Sequence, residues 1–129
     1  MKQYKIFISH SWKYDDNYQK VREWIDDNLY WVNMSVPKDK PKDANSKLAL
    51  KRAIENNIVK SSGVIVVSGM YAQYSEWIDT EIEIALKYGK PIIGIVPRGR
   101  ERIPSVVSNN AEMIRWNSYS LIEAIKRKF

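Results

Sequence analysis

The sequence contains no cysteine and a single histidine, His10. The absence of cysteine excludes disulfides, thiol nucleophiles and the commonest structural zinc sites, and one histidine cannot build a metal site alone. The longest apolar runs, around residues 64–67 and 92–96, are far shorter than the roughly 20 residues of a bilayer span. The first residues include too short an apolar run for a signal peptide. We therefore expect a cytoplasmic protein with no bound metal and no membrane partner.

Several nucleotide and hydrolase motifs are also absent. No GxGxxG follows the first predicted strand and no GxxxxGK[ST] occurs, which argues against the usual dinucleotide and triphosphate cradles. No GxSxG is present, and His10 would be the only histidine base for a serine nucleophile. A response regulator would need an aspartate after its third strand, where this chain has Ser68. These absences leave few routine catalytic sites open.

The formal net charge is +6 over 129 residues. Basic residues gather at 38–42, 98–102 and 126–128, which suits either a polyanionic ligand or an ordinary solvated surface. We favour the solvated surface and expect no nucleic-acid partner, because the runs are short and most are interrupted by acids or proline. The length suits one domain over residues 1–129.

Apolar runs and helical periodicities alternate along the chain. Strands are predicted at 4–9, 31–36, 63–67, 91–96 and 113–116. Helices are predicted over 16–29 and 46–59, from Ser75, over 105–112 and from a Ser120–Glu123 capping box. Because the apolar strands imply a sheet covered on both faces, the fold class is α/β. The best match is one flavodoxin-like domain with a five-stranded parallel sheet, order 2-1-3-4-5.

In such a sheet, ligands bind outside the carboxyl ends of the strands, near the switch between strands 1 and 3. This rule selects residues 9–12 and 68–71, with the helix after strand 3 bordering the same crevice. On that helix Trp77 and Glu81 are four residues apart, so they share a flank and can face the crevice together. From the pattern alone, the simpler interpretation is that Glu81 is an acidic residue exposed to solvent.

Four segments resemble the TIR domains, and most closely the bacterial and archaeal TIR-like proteins of the Thoeris type. Residues 7–12 are similar to the first TIR strand, and Trp77-Ile78-x-x-Glu81 is similar to the helix motif Trp-Cys-x-x-Glu, with Ile78 where cysteine is usual. The segments 89–95 and 101–104 extend the likeness, which runs from about residue 4 to residue 126.

The resemblance implies an enzyme that cleaves NAD⁺, as its substrate, at the nicotinamide–ribose bond. It implies an ADP-ribose-derived signal made during phage infection, a downstream effector that senses this product, and self-association. The family's catalytic glutamate falls on Glu81. The substrate pocket that the resemblance implies, with an aromatic wall, draws on Ser9, His10, Ser11, Trp12, Ser46, Ser68, Gly69, Met70 and Trp77.

Two other functions stay open at this stage. One is a non-catalytic TIR-like interaction module, which a solvent-facing Glu81 would favour. The other is a nucleoside deoxyribosyltransferase-like enzyme, which uses a similar sheet and a glutamate nucleophile.

Overall fold

Strands and helices alternate throughout the computed structural model, which describes residues 2–9, 16–36, 43–67, 71–97 and 105–129, with the side chains of 71–76 excepted. The strands are β1 (Tyr4–Ser9), β2 (Trp31–Asn33), β3 (Gly63–Val67), β4 (Ile92–Ile95) and β5 (Glu112–Ile114). The helices are α1 (Asp16–Asn28), α2 (Ala44–Lys60), α3 (Tyr71–Lys87), α4 (Ser105–Ser108) and α5 (Ser118–Lys128). All paired strands are parallel, in the order β2-β1-β3-β4-β5. The predicted fold class is confirmed.

The core lies on both faces of the central strands. Every residue of β3 and β4 is buried, as a sheet covered on both faces requires. In β1, Phe7 and the two isoleucines beside it have no exposed surface. Gly89, with φ 66°, follows the end of α3 in the left-handed conformation that glycine adopts without strain.

Strand β2 ends at Asn33, three residues earlier than predicted. One further backbone hydrogen bond, from the Met34 N–H to the Ile6 carbonyl at 2.8 Å, follows Asn33, and side chains hold the segment as well. The backbone N–H of Ile8 donates to Ser35 Oγ at 2.9 Å, while the carbonyl of Met34 accepts from Asn57 Nδ2 at 2.9 Å. The strand therefore stops, but the chain stays fastened beside the end of β1.

Two predicted helix starts are wrong. Helix α3 begins at Tyr71, so Ser75 lies inside it rather than at its N-cap; no glycine or proline in residues 71–74 interrupts the helix. Helix α5 begins at Ser118 because the Asn117 side chain caps it, accepting from the Ser120 N–H at 2.7 Å. Asparagine is among the best N-cap residues, and it displaces the capping box expected at Ser120.

Two leucines of the helices are exposed. Leu48 is 47% exposed and Leu86 is 50% exposed. The buried stripe of α2 passes through Ile54 and Ile58, and Leu48 lies off that stripe at about 100° per residue. Leu86 lies at the margin of the α3 stripe, beyond Ala85. The buried stripes of α2 and α3 are therefore narrower than their apolar residues alone would indicate.

A bidentate ion pair joins β5 to α5. Arg127 donates to the two carboxylate oxygens of Glu112 at 2.7 and 2.6 Å. These hydrogen bonds hold the pKa of the Glu112 carboxyl below its ordinary value, although partial burial opposes the shift. Because the folded-state pKa is lowered, the pair stabilises the fold above the unfolded-state pKa of Glu112 and loses this contribution as the pH falls through the folded-state value.

We expect Glu112→Gln to lower the melting temperature at pH 7. The difference from wild type should shrink steadily as the pH is lowered below about 4, since the wild-type carboxylate is then protonated as well. Thermal melts of both proteins between pH 3 and pH 7 measure this convergence. A difference that is constant across the range would show that the charge of Glu112 contributes nothing.

Candidate active site

Glu81 is fully buried in α3. It is the only carboxylate classed as buried among the side chains that the structure describes. An ionised carboxylate removed from water costs several kcal/mol or more unless hydrogen bonds replace its hydration. An apolar side chain would fill the same space without that cost, so the position favours a role for the carboxylate itself.

The Ser9 hydroxyl holds this carboxylate. Ser9 Oγ donates to Glu81 Oε1 at 2.8 Å, across 72 residues of sequence, and Ser9 is fully buried as well. Ser9 is the last residue of β1, opposite Val66 of β3. The pair therefore lies at the carboxyl edge of the sheet, at the junction of strands β1 and β3 where the topology predicts the ligand crevice.

Helix α3 provides one wall at this edge. It leads from the end of β3 back to the start of β4, so its first residues lie beyond the carboxyl ends of the strands. Ten residues separate Tyr71 from Glu81, which is about 15 Å of helix. The Ser9 contact places Glu81 level with the end of β1, at the carboxyl edge of the sheet.

Trp77 lies one turn before Glu81 on the same flank. Its side chain is 9% exposed and packs in the core cluster with Ile78 and Ile82. The burial of both side chains is therefore consistent with the shared helix flank that their spacing predicts. The structure thus places the Trp77 side chain in the core, and its contribution to a substrate pocket stays a prediction.

Ser46 has a local role that the sequence did not indicate. It lies in the first turn of α2, where its backbone N–H donates to Asp43 Oδ1 at 2.8 Å. Hydrogen bonds from the Ser46 backbone and hydroxyl hold the pKa of the Asp43 carboxyl below its ordinary value. Ser46 is exposed, and its contribution to a substrate pocket stays a prediction.

Six predicted pocket residues lie outside the described part of the chain. They are His10, Ser11, Trp12, Ser68, Gly69 and Met70. Their neighbours Ser9 and Val67 are described and end β1 and β3 on the same edge of the sheet. Because each segment follows directly from its strand, both begin at the edge of the sheet that holds Glu81.

Sequence reasoning missed two residues that support this edge. Ser35 accepts from the backbone of Ile8, next to Ser9, and Asn57 of α2 fastens Met34. Neither contact has a sequence signal, because both join segments more than 20 residues apart. They fasten the segment at 34–35 beside the end of β1.

Two negative findings apply to the described ranges. No group of three or more acidic, histidine or cysteine side chains there is placed to hold a metal ion. No helix found there has the length and apolarity needed to cross a membrane.

Comparison with protein families gives a match over residues 7–102, to the model described as Thoeris protein ThsB, TIR-like domain. The chain belongs to this family. The matched range contains Ser9, at the end of β1, and the whole of α3 with Glu81. Family membership associates the chain with Thoeris anti-phage defence. No curated protein sequence matches the chain significantly.

Solved structures with the same fold include two enzymes named for chemistry on nucleosides and nucleotides. A 2-deoxyribosyltransferase from Bacillus psychrosaccharolyticus superposes with a TM-score of 0.62 and 12% identity, covering 92% of this chain and 90% of its own. The CMP N-glycosidase BcmB of Clostridium botulinum gives a TM-score of 0.56 and 11% identity, covering 95% and 98%.

A third structure shows that the fold is not tied to one chemistry. It is a 3-dehydroquinate dehydratase-like protein from Bifidobacterium longum, with a TM-score of 0.54 and 11% identity, covering 99% of this chain and 95% of its own. At these identities the likeness establishes the α/β fold alone.

Proposed function

We propose that this chain cleaves the bond between nicotinamide and ribose in NAD⁺ and makes an ADP-ribose-derived signal in Thoeris defence. The observation that carries the proposal is the fully buried carboxylate of Glu81, held by Ser9 at the carboxyl edge of the sheet. In the motif that the chain shares with TIR domains, the glutamate of this position is the catalytic one.

A single carboxylate is sufficient for this reaction. Nicotinamide leaves NAD⁺ from a pyridinium nitrogen, so it departs as a neutral molecule and needs no general acid. The sugar develops positive charge at its anomeric carbon, as in the oxocarbenium-like transition states of glycoside hydrolysis. A fixed anion in a dry site stabilises such charge far better than solvent does.

The burial of Glu81 also supports the proposal over a non-catalytic interaction module. Such a module needs no ionisable group at the base of a crevice, and an exposed Glu81 would have favoured it. The carboxylate has no exposed surface. The cost of removing it from water is understandable if the site uses the charge.

A deoxyribosyltransferase-like activity is the second candidate. The similar fold of the Bacillus psychrosaccharolyticus enzyme favours it, and such an enzyme would also place a carboxylate beside an anomeric carbon. The two activities break the same class of bond, from an anomeric carbon to a ring nitrogen. They differ in sugar and leaving group, so a substrate panel separates them.

Self-association and an effector that senses the product stay predictions.

The test is a panel of substrates with one readout. Purified protein at high concentration, with and without lysate from phage-infected cells, is incubated separately with NAD⁺, a 2′-deoxynucleoside plus a second free base, and CMP. Mass spectrometry then measures the released base and the remaining nucleotide or sugar product.

We expect release of nicotinamide from NAD⁺ and a product mass equal to ADP-ribose, or lower by one water if the product is cyclic. Base exchange on the deoxynucleoside alone would replace the proposal with the transferase. No bond cleavage in any mixture would favour the interaction module.

A further inference from the structure

We infer that Ser9 is a positioning residue for Glu81 and not a substrate ligand. The inference rests on the proposed function, and it changes the role that the family resemblance suggested for Ser9. It follows from the burial of the serine, from the direction of its hydrogen bond and from the broad terminal torsion of a glutamate side chain.

Burial leaves Ser9 little to offer a substrate. Its side chain has no exposed surface, and its hydroxyl proton is directed to Glu81 Oε1 at 2.8 Å. A serine hydroxyl has one proton to donate. While that proton stays on the carboxylate, Ser9 cannot donate to a ribose or phosphate oxygen.

The glutamate needs an external partner to be oriented. Packing in α3 restricts its sp³ torsions to staggered wells, but the terminal torsion that rotates the carboxylate plane is broad. A hydrogen bond to one oxygen selects one orientation from that range. The Ser9 hydroxyl supplies such a bond and so directs how the carboxylate faces the crevice.

Ser9 lies at the end of a central strand of the sheet. Ser9 ends β1, which lies between β2 and β3, and it is registered with Val66. A site supported by a central strand holds its geometry better than one supported by a loop. The Ser9–Glu81 hydrogen bond thus holds a charged group of α3 in a fixed position relative to the sheet.

The kinetic test compares Ser9→Ala with Ser61→Ala. Ser61 is a matched control, because it is 3% exposed and its hydroxyl also makes a short hydrogen bond, to the carbonyl of Asn57 at 2.6 Å. It precedes β3 and so lies at the opposite, amino edge of the sheet. Both variants lose one buried serine hydroxyl.

We expect Ser9→Ala to lower kcat for nicotinamide release about 10- to 100-fold, with KM within about two-fold of wild type, since misorienting a reacting group by about 1 Å can cost this much. Ser61→Ala should leave both constants unchanged. A raised KM with unchanged kcat would show instead that Ser9 binds substrate. Two unchanged constants would show a purely structural serine.

A second measurement does not depend on activity. Crystal structures of wild type and Ser9→Ala are compared. In the variant, the Glu81 carboxylate should be rotated or spread over several orientations, while the backbone of α3 stays in place. A carboxylate with unchanged orientation would overturn the inference. Absence of turnover in wild type would contradict the proposed function, and the crystallographic comparison would still decide the role of Ser9.

Discussion

Replacing Glu81 with glutamine is expected to lower the rate of nicotinamide release by about 1,000-fold or more. Glutamine has nearly the shape of glutamate but no charge, so it keeps the packing of α3 and removes the anion that faces the developing positive charge. Loss of one preorganised electrostatic partner costs about 100- to 1,000-fold in other enzymes. A full charge in a buried site belongs at the upper end of that range.

Glu83→Gln is the control for this prediction. Glu83 lies two residues along the same helix, is exposed, and carries the same charge. The substitution changes the net charge of the protein equally and leaves the buried site intact. We expect its rate of nicotinamide release to be within about two-fold of wild type, because exposed charges are strongly screened. A similar loss in both variants would mean that net charge, and not the position of Glu81, controls the reaction.

Gly94→Ala is expected to destabilise the protein by about 1–3 kcal/mol, the usual cost of overpacking a buried site. Gly94 lies in β4 opposite Met113 of β5. A Cβ atom at Gly94 would overlap Sδ of Met113 and approach its Cε to 2.8 Å, with Val107 Cγ1 at 3.4 Å. The close approach of the Met113 side chain therefore disfavours a methyl group at this position.

A competing effect makes this prediction informative. Alanine restricts the unfolded chain more than glycine, which stabilises a protein by about 0.4–1 kcal/mol wherever the native site accepts the methyl group. If Met113 swings away freely, Gly94→Ala should be neutral or stabilising. Chemical denaturation of wild type, Gly94→Ala, Met113→Ala and the double variant measures the balance.

The double variant should be more stable than the sum of the single changes predicts, by about 1 kcal/mol, because removing the Met113 side chain makes room for the new methyl group. Strict additivity would show that Met113 is not the obstacle. A melting temperature of Gly94→Ala at or above that of wild type would contradict the prediction as a whole.

The sheet could be predicted from local patterns because its strands are unusually apolar. The run at Gly63–Val67 and the full extent of Tyr4–Ser9 match the structure residue for residue. Their pairing order was that of the flavodoxin-like sheet, which best matches the alternation of strands and helices. The patterns predicted less well where a side chain decides the outcome, as at Asn117, which caps α5 before the expected serine.

The candidate site was predicted only in part, for a physical reason. The distribution of apolar residues gives no signal for a charged residue inside the core, so the pattern alone placed Glu81 in solvent. The structure corrects this, since Glu81 has no exposed surface. The family resemblance selected the residue, but the Ser9–Glu81 contact depends on where α3 packs relative to the end of β1. A spacing of 72 residues carries no information about that packing.

The central claim is that this chain breaks the nicotinamide–ribose bond of NAD⁺ through Glu81. The most direct measurement follows NAD⁺ by proton NMR in parallel reactions of wild type, Glu81→Gln and Glu83→Gln, each with the same infected-cell lysate. We predict that free nicotinamide appears with wild type and Glu83→Gln, in step with the loss of NAD⁺, and stays at the lysate background with Glu81→Gln. Equal nicotinamide release by wild type and Glu81→Gln would contradict the claim.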